Sequence, residues 1–379
     1  MKLVVTHHNL NERGGAEKVL LKIAQRYDAP IYTLGYDKNG TFEEFKDLDV
    51  RVFSKKGLVS NSLPPRVGNA VYYGFNFYNF KIPEDYDVVN PHSSPSEWIR
   101  NRNPRALWYC HTPPRELYDP TVANLRKKTL KEKVLYKSFS GIYSKIENKV
   151  VKDTEAIATN SDNTKAKIKS IFNRNATVIT PGVEPKDFIN EGYDKYFLYP
   201  SRIAEQKRQE YAIEAFQRFC KITRIKGYKL IIAGGLSKRY DDFETYYKKL
   251  KAKRAKDVKF VLNPTDEKMK ELYSRCTAVL FTAINEDLGI VPLEGMASSK
   301  PVISVNEGGP KETIINAKTG FLVNSEEEMA RKMKFIIENR SIAEKIGKEA
   351  RRRVERHYSW DVFFNKFDLL AKNVSKNNI

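Results

Sequence analysis

The chain has 379 residues, 41% of them hydrophobic, which is enough for two or three domains with sizeable cores. Three widely spaced cysteines (Cys110, Cys220 and Cys276) do not indicate a disulfide framework or a zinc site, and no apolar run approaches the roughly 20 residues that cross a bilayer, so we expect a cytoplasmic protein that is soluble or peripheral to a membrane. The formal net charge of +20 indicates an acidic partner, such as nucleotide phosphates, anionic lipid or nucleic acid.

The first half of the chain alternates short apolar runs with helical patterns. Short apolar runs bounded by turn residues are typical of buried parallel strands. Pro181, Gly182 and Val183 then form a predicted turn and a natural hinge. In this half the predicted strands are 3–5, 88–89, 107–109, 156–158 and 177–179, and the predicted helices are 16–26 and 163–172.

A second series of the same kind follows the hinge. Alternation of strands and helices predicts parallel sheets covered on both faces, so two series predict an α/β fold of two doubly wound, Rossmann-like domains that face each other across a cleft. The final segment, 360–374, carries apolar residues at helical spacing. The predicted strands are 197–199, 229–233, 258–262, 278–281, 301–304 and 320–323, the predicted helices are 208–222 and 336–354, and the apolar residues of the final segment are Trp360, Phe363, Phe364, Phe367 and Leu370.

Gly14 and Gly15 lie between the first predicted strand and its helix. Glycine lets the backbone approach a phosphate closely, and a helix that starts at Ala16 points its positive end in the same direction. The segment is neither a Walker loop nor a full dinucleotide-binding fingerprint, and a plain strand-to-helix turn is the alternative.

His111 follows the predicted strand 107–109 and precedes Thr112, Pro113 and Pro114, which force an extended, stiff loop. A single histidine is more often structural than functional, so the flanking residues decide its interpretation. No role is predicted for His7 and His8, and His92 and His357 are interpreted as structural.

Arg202 and Lys207 follow the first strand of the second series. Arginine presents a planar fork that matches phosphate oxygens, and lysine adds a compact charge, so the two residues are suited to stabilise a departing diphosphate. Because both lie just after a strand end, they are predicted to face the cleft. The alternative is two surface cations among many in a basic chain.

Glu286 and Glu294 stand eight positions apart, with Gly289 between them. Glu286 follows the predicted strand 278–281, and Glu294 is predicted to lie in the first turn of the next helix. In an open α/β sheet, ligands bind at the edge where strands end, so we expect backbone N–H groups around Gly289 to meet a polar ligand and Glu294 to accept from hydroxyl groups. The alternative is a loop acid followed by an acid that compensates the helix dipole.

Together these segments resemble the retaining glycosyltransferases of family 4, which have the GT-B fold. The segment 286–294 is similar to the E-x7-E motif of that family, and Gly14 and Gly15 are similar to its glycine-rich loop. The other similar segments are 110–119, like a loop of its mannosyl- and rhamnosyltransferases, 201–207, like its donor-phosphate segment, and 307–312, like the loop after its E-x7-E helix. All of them occur in the family's order, which strengthens the resemblance.

The resemblance implies a retaining hexosyltransferase that takes its sugar from a nucleotide-diphosphate donor. GDP-mannose is the favoured donor and a UDP-sugar the next, the acceptor is a glycan or a lipid-linked glycan, and neither a metal nor another cofactor is expected. It also implies an acceptor-side domain, 1–185, onto which a last helix, 360–379, packs back, and a nucleotide-sugar-binding domain, 186–359.

The resemblance further assigns roles to single residues. His111 is expected to contact the donor sugar near the reacting carbon, while Arg202 and Lys207 are expected to hold the diphosphate. Glu286 is expected to bind the sugar hydroxyls, and Glu294 the ribose hydroxyls. The residues expected to complete the donor site through backbone contacts are Gly14, Gly15, Gly289, Ile290 and Val291.

Other interpretations stay open. The segments 47–49 and 85–87 have the Asp-x-Asp spelling of metal-binding glycosyltransferases, but both precede apolar strand residues and are interpreted as strand-entry turns. A nucleotide-sugar epimerase also uses the GT-B fold, and a basic nucleic-acid-binding protein would explain the charge, although no recognised nucleic-acid module is present. Leu288 departs from the family, which usually has phenylalanine in this part of the sugar pocket.

The run 125–151 mixes basic and apolar residues in the acceptor-side domain. Because acceptors of similar enzymes are often lipid-linked, this run predicts reversible binding to an anionic membrane surface. The alternative is a solvated helix face. The basic residues that carry the prediction are Lys127, Lys128, Lys131 and Lys133, and the apolar ones are Leu130, Val134, Leu135, Phe139, Ile142 and Tyr143.

Overall fold

The chain divides into two compact units. One unit contains Met1–Thr180 together with Phe364–Ile379, and the other contains Pro181–Phe363. The last helix therefore begins in the second unit and ends in the first. The computed structural model describes residues 1–53, 65–118, 130–235, 243–253 and 256–376.

The first boundary between the units lies at Thr180, a few residues before the predicted domain end at 185. Close backbone packing explains this position. A Cβ atom on Gly182 would lie 2.4 Å from the backbone N of Trp360, and the N–H of Val183 donates to the carbonyl of Tyr358 at 2.8 Å. The predicted hinge residues are thus packed within the second unit.

Seven strands of the first unit form one parallel sheet in the order β3-β2-β1-β4-β5-β6-β7. Its central strands are buried on both faces, as expected for apolar runs covered by helices. The strands are β1 (Leu3–His7), β2 (Ile31–Thr33), β3 (Val50–Val52), β4 (Val88–His92), β5 (Leu107–Cys110), β6 (Ala156–Thr159) and β7 (Thr177–Val178). The helices are α1 (Gly15–Tyr27), α2 (Pro65–Asn79), α3 (Arg115–Tyr118), α4 (Leu130–Asp153) and α5 (Asp162–Phe172).

Six strands of the second unit form a parallel sheet in the order β10-β9-β8-β11-β12-β13. In each sheet, successive strands are first added on one side of the first strand and then on its other side. The change of side places β4 next to β1 and β11 next to β8. The strands are β8 (Tyr196–Pro200), β9 (Lys229–Gly234), β10 (Val258–Leu262), β11 (Ala278–Phe281), β12 (Val302–Val305) and β13 (Phe321–Val323). The helices are α6 (Gln209–Ile222), α7 (Phe243–Lys253), α8 (Asp266–Arg275), α9 (Ile290–Ala297), α10 (Pro310–Thr313), α11 (Glu326–Glu338), α12 (Arg340–His357) and α13 (Trp360–Ser375).

The end of α13 packs against α1 in the first unit. Asp368 accepts a hydrogen bond from the hydroxyl of Tyr27 and pairs with Arg26 at 3.4 Å. The ring of Phe367 lies 5.9 Å from that of Tyr27, and Phe367 is fully buried. The apolar spacing noted in the sequence is thus the buried face of this helix, whose predicted residues Trp360, Phe363, Phe364 and Phe367 are buried and Leu370 half-buried.

The segment 336–354 is helical as predicted, but it belongs to two helices, α11 and α12, that are separated at Asn339. α11 starts behind Ser325, whose hydroxyl accepts from the N–H of Glu328 at 3.2 Å. It ends at Asn339, which has non-helical backbone angles and donates from its amide to the carbonyl of Phe335 at 2.9 Å. Among the helices of the described ranges, none has the length and apolar character needed to span a bilayer.

Candidate functional site

Three histidines lie at the carboxyl ends of neighbouring strands in the first unit. His7 ends β1 and His92 ends β4, and the two residues are partners in the parallel ladder. His111 directly follows β5, in which Tyr109 is the ladder partner of His92. The sequence predicted a site role for His111 alone. The structure brings His7 and His92 to the same sheet edge, so the structural interpretation of His92 missed its contact with His111.

A chain of hydrogen bonds runs behind His111. Asn90 donates from Nδ2 to the carbonyl of Leu107 at 2.5 Å, and its Oδ1 lies 2.8 Å from Nε2 of His92. The Nδ1 of His92 lies 2.9 Å from Nε2 of His111. Asn90 and His92 are fully buried, whereas His111 is partly exposed. A ligand at this sheet edge therefore meets His111 before the other two residues.

Burial keeps these imidazoles neutral. It is the main reason why the pKa of His92 lies well below the usual value, and the neighbouring His111 and His7 lower it further. Burial also lowers the pKa of His111 to about 3, with a smaller contribution from His7. Both side chains are therefore neutral near pH 7, each with one N–H donor and one acceptor nitrogen.

The glycine-rich loop carries a carboxylate. Gly14 precedes α1, which starts at Gly15 rather than at the predicted Ala16. A Cβ atom on Gly14 would lie 2.4 Å from Oε2 of Glu17, and Oε1 of Glu17 lies 3.7 Å from Nε2 of His7. The negative charge of this carboxylate disfavours a phosphate at the same place and suits a hydroxyl group.

The loop after His111 is anchored to a buried acid, Glu147, which lies beside a second buried acid, Glu97. Tyr118, at the end of α3, donates its hydroxyl to Oε2 of Glu147 at 2.5 Å, and Ser94 donates to Oε1 of Glu97 at 2.8 Å. Burial raises the pKa of Glu97 to about 7. Burial also raises the pKa of Glu147 well above its usual value, and the charge of Glu97 adds to this effect. The pair therefore retains a proton near neutral pH, which lets the two acids lie close together.

In the second unit, Lys207 and Glu286 form an ion pair. Lys207 ends a 3₁₀ turn that follows β8, and Glu286 lies in the loop after β11. The Nζ of Lys207 donates to Oε2 of Glu286 at 2.6 Å, and the two side chains are 17% and 29% exposed. The structure thus brings the predicted diphosphate residue and the predicted sugar residue into direct contact at one sheet edge.

Arg202 follows β8 at the same edge, and its side chain is exposed. Its carbonyl accepts from Nε2 of Gln209 at 2.8 Å, and the same nitrogen donates to the hydroxyl of Ser201 at 2.8 Å. Gln209 is the first residue of α6 and is fully buried. The backbone under Arg202 is therefore held in place from the interior of the unit.

Thr282 connects the turn after β8 with the loop after β11. Its hydroxyl donates within 3.0 Å of the carbonyls of Lys207 and Arg208, and it lies 2.9 Å from the hydroxyl of Tyr199. Arg208 donates from Nε to the carbonyl of Thr282 at 2.7 Å and from Nη2 to Glu307 at 2.9 Å. These bonds fix the loops after β8, β11 and β12 relative to one another.

Gly308 and Gly309 pack directly against the loop that carries Glu286. A Cβ atom on Gly308 would lie 2.3 Å from the carbonyl oxygen of Glu286, and one on Gly309 would lie 2.4 Å from Cα of Leu288. The N–H of Gly309 donates to the carbonyl of Glu286 at 2.8 Å, and Gly308 has a φ of +59°. Glycine at both positions therefore permits the backbone contact that shapes this loop.

Helix α9 begins directly after Gly289, whose φ of +83° favours glycine. The first N–H groups of a helix, here those of Ile290 and Val291, make no hydrogen bond within the helix. Glu294 lies one turn into α9, so the prediction of a first-turn position is wrong by one residue. Its Oε2 accepts from the hydroxyl of the buried Tyr273 at 2.7 Å.

The two Asp-x-Asp segments lie at the amino ends of strands. Asp87 precedes β4 and accepts from the backbone N of Lys2 at 2.7 Å, and Asp49 precedes β3 and pairs with Arg51 at 2.5 Å. This edge is opposite to the one that carries His92. In the part of the chain that the structure describes, no group of three or more His, Cys, Asp or Glu residues is placed to hold a metal ion.

The residues that support the predicted ones were not predicted from the sequence. Asn90 and His92 interrupt the apolar run of β4, and a polar residue in a buried strand needs a hydrogen-bond partner, which is a usable signal. Arg208 adjoins Lys207 but belongs to no motif. Thr282 and Tyr273 gave no signal, because each is an ordinary residue beside an apolar segment.

Two solved structures share the architecture over nearly their full length. HepE of Anabaena, in complex with UDP and glucose, has a TM-score of 0.73 at 17% identity and covers 98% of this chain and 99% of its own. Sucrose-phosphate synthase from Thermosynechococcus elongatus has a TM-score of 0.77 at 17% identity and covers 99% of both chains. The two doubly wound parallel sheets are those of the GT-B glycosyltransferases, as predicted.

Sequence comparison agrees with this class. Residues 183–353 match the family model of the glycosyl transferases group 1. Alpha-1,3/1,6-mannosyltransferase ALG2 of Mus musculus is 28% identical over 92% of this chain and 91% of its own length. Residues 183–353 thus form a group 1 glycosyltransferase domain, and the chain is a glycosyltransferase. The predicted enzyme class is confirmed, whereas the assignment to family 4 stays a prediction.

Gly308→Ala should destabilise the second unit and lower transfer. The new Cβ would displace the backbone of Glu286, and alanine is strained at a φ of +59°, so we expect a loss of about 2 kcal/mol or more. Thermal unfolding and transfer assays measure the two effects. Gly141→Ala is the matched control, because this exposed glycine of α4 has nothing within 4 Å of an added Cβ and alanine should stabilise by about 0.5–1 kcal/mol. Equal stability of Gly308→Ala and wild type would show that the loop does not depend on this contact.

Proposed function

We propose that the chain is a retaining mannosyltransferase that moves mannose from GDP-mannose to a glycan or a lipid-linked acceptor. The observation that carries the proposal is the contact between Lys207 and Glu286, which puts a cation for a diphosphate 2.6 Å from a carboxylate for sugar hydroxyls. Similarity to an alpha-1,3/1,6-mannosyltransferase supports mannose as the sugar. The HepE complex with UDP and glucose makes UDP-sugars the next candidate donors.

In this proposal the second unit binds the donor. Arg202, Lys207 and the first N–H groups of α9 hold the diphosphate and stabilise it as it leaves. A bound diphosphate competes for the ammonium group of Lys207, so donor binding releases Oε2 of Glu286 to accept from a sugar hydroxyl. Glu294 accepts from the ribose hydroxyls while Tyr273 holds the other side of its carboxylate.

The first unit supplies contacts to sugar hydroxyls. His111 is proposed to contact the donor sugar near the reacting carbon, as a neutral imidazole. Gly14 and Gly15 are proposed to let a hydroxylated part of the donor approach the backbone, because the adjacent Glu17 carboxylate suits hydroxyl groups. Neither a metal nor another cofactor is part of the proposed reaction.

Incubating the full chain with GDP-mannose or UDP-glucose tests the proposal. We expect GDP-mannose to give faster release of nucleoside diphosphate, with water as a slow acceptor, and to raise the free energy of unfolding by about 2.7 kcal/mol at roughly 100 times its Kd. The anomeric configuration of the product reports retention. Turnover in EDTA should persist. Turnover with UDP-glucose alone would contradict GDP-mannose as the donor. A loss of turnover in EDTA that Mn²⁺ or Mg²⁺ restores would contradict metal independence.

The two glutamates should separate in calorimetry. Glu294→Gln should weaken binding of free GDP by about tenfold, because the ribose of GDP loses a hydrogen bond to a charged group. Glu286→Gln should not weaken GDP binding, because it removes a competitor for Lys207, and should lower transfer by roughly a hundredfold, because its partner in the donor is the sugar. Glu344→Gln, in a surface pair with Arg340, is the matched control and should change neither quantity. The opposite ordering would exchange the two roles.

We also propose that the first unit binds anionic membranes. The prediction for 125–151 falls partly outside the described residues, since 125–129 and the side chains of 130–136 are among those that the structure leaves undescribed, including Lys127, Lys128, Lys131 and Lys133. Further along α4, Ile142 is 64% exposed, and on α2 Phe75 is 48% exposed. Both helices pack on Trp98, whose ring lies 4.7 Å from that of Tyr143 and 2.8 Å from a Cβ built on Gly74. Between residues 137 and 151 the exposed lysines of α4 are Lys137, Lys145 and Lys149.

Charge reversal should release the protein from vesicles. Replacing Lys137, Lys145 and Lys149 by Glu should abolish sedimentation with phosphatidylglycerol vesicles at low salt, because each lysine near an anionic bilayer contributes about 1 kcal/mol. GDP binding should not change. The control replaces Lys248, Lys249 and Lys256, exposed residues of the second unit, by Glu. Wild type that stays in the supernatant at low salt, or equal release by both triple variants, would reject this surface.

A further inference from the structure

We propose that Asn90 and His92 are positioning residues that hold His111 in the tautomer with its proton on Nε2, so that Nδ1 of His111 accepts a hydrogen bond from a substrate hydroxyl. The inference rests on the proposed function in one respect, since that function makes the hydroxyl one of a sugar. The tautomer itself follows from the hydrogen-bond chain, whatever the substrate.

The buried end of the hydrogen-bond chain determines which atom donates in each of its bonds. The carbonyl of Leu107 can only accept, so the amide group of Asn90 that lies 2.5 Å from it must be the NH₂ group. This contact fixes the orientation of the Asn90 side chain. Its oxygen then faces His92, and an amide oxygen is an acceptor only.

The hydrogen-bond polarity set at Asn90 extends through His92 to His111. Because Oδ1 of Asn90 accepts at 2.8 Å, Nε2 of His92 carries the proton. A neutral imidazole has one N–H, so Nδ1 of His92 is an acceptor. It lies 2.9 Å from Nε2 of His111, which must therefore carry the proton of that ring and leave a lone pair on Nδ1. Burial, which disfavours a second proton on either ring, keeps this polarity in one direction.

Packing holds the two rings in place. The ring of His92 stacks on that of Tyr109 at 5.3 Å with planes 13° apart, and the ring of His111 lies 4.8 Å from the same tyrosine. The amide of Asn160 donates to the carbonyl of His111 at 2.9 Å and so fixes its backbone. Since His92 and Asn90 are fully buried and His111 is partly exposed, the two act through His111 rather than on a ligand directly.

An acceptor nitrogen suits the proposed substrate. A sugar offers hydroxyl groups, which donate to a neutral imidazole nitrogen and so take a fixed orientation. In the opposite tautomer, Nδ1 of His111 would carry the proton and would donate to the oxygen of the same hydroxyl instead. Fixing the tautomer before the ligand arrives saves this reorganisation in the transition state.

Two substitutions at one position isolate the contact. His92→Asn places an amide oxygen close to the position of Nδ1 and so retains an acceptor for His111, whereas His92→Leu has a similar length and removes it. Both variants lose the bond from Nε2 to Asn90, so that cost is common to them. His357→Leu, at an exposed position of α12, is the control for histidine loss.

The tautomer is read from the ¹⁵N shifts of labelled histidines in the full chain without substrate, between about pH 6 and 8. We expect His111 as the Nε2–H form in wild type and in His92→Asn, and a mixture of tautomers in His92→Leu. In transfer assays with a donor that the enzyme uses, His92→Leu should lower kcat by about tenfold to a hundredfold with a smaller change in KM. His92→Asn should retain most of the wild-type kcat.

Two results would overturn the inference. One is a wild-type His111 with its proton on Nδ1. The other is a folded His92→Leu variant that keeps the wild-type tautomer and kcat. The NMR measurement needs no substrate, so a protein that shows the Nε2–H form but transfers no mannose would reject the proposed function and leave the positioning role of Asn90 and His92 supported.

Discussion

Parallel pairing of buried strands is the constraint on which both units depend. In each sheet the chain adds strands on one side of a central strand and then lays the next strand on its other side, β4 beside β1 and β11 beside β8. At such a point the loops diverge and the carboxyl ends of the strands stay open to a ligand. His7 and His92 end the strands at the first of these points, and Lys207 and Glu286 follow the strands at the second. The topology therefore places these polar side chains at the sheet edges where ligands bind in open α/β sheets.

The two sheet edges satisfy their polar groups in different ways. At the first edge, burial keeps His92 and His111 neutral, and a hydrogen bond joins the two rings. At the second edge, Lys207 and Glu286 are partly exposed and neutralise each other as charges. A chain of hydrogen bonds between neutral groups keeps its polarity, whereas a partly exposed ion pair exchanges its partner readily for a charged ligand. The second arrangement therefore suits a diphosphate, and the first suits uncharged hydroxyl groups.

The sequence predicted most of what depends on local pattern. Apolar runs located most of the strands, and the order of the motifs singled out Lys207 and Glu286, which the structure brings into contact. What depends on tertiary contact was not predictable. The short strands β2 and β3 carry too few residues for a periodic signal, and one charged pattern hid the break at Asn339 between α11 and α12. His92 looked structural because its partner His111 lies in another strand's loop, and such pairing appears only once the sheet order is known.

The positions of Glu286 and Glu294 depend on glycines between them and in a neighbouring loop. Gly289 provides the positive φ from which α9 starts, and so turns the chain between Glu286 and Glu294. Gly308 and Gly309 belong to a different loop, yet they set the position of Glu286. The carbonyl of Glu286 accepts from the N–H of Gly309 and would collide with a side chain at position 308. A carboxylate can be recognised in a sequence by its chemistry. Its position relative to a ligand is determined by where the backbone may come close, and in this unit that is decided by residues with no side chain at all.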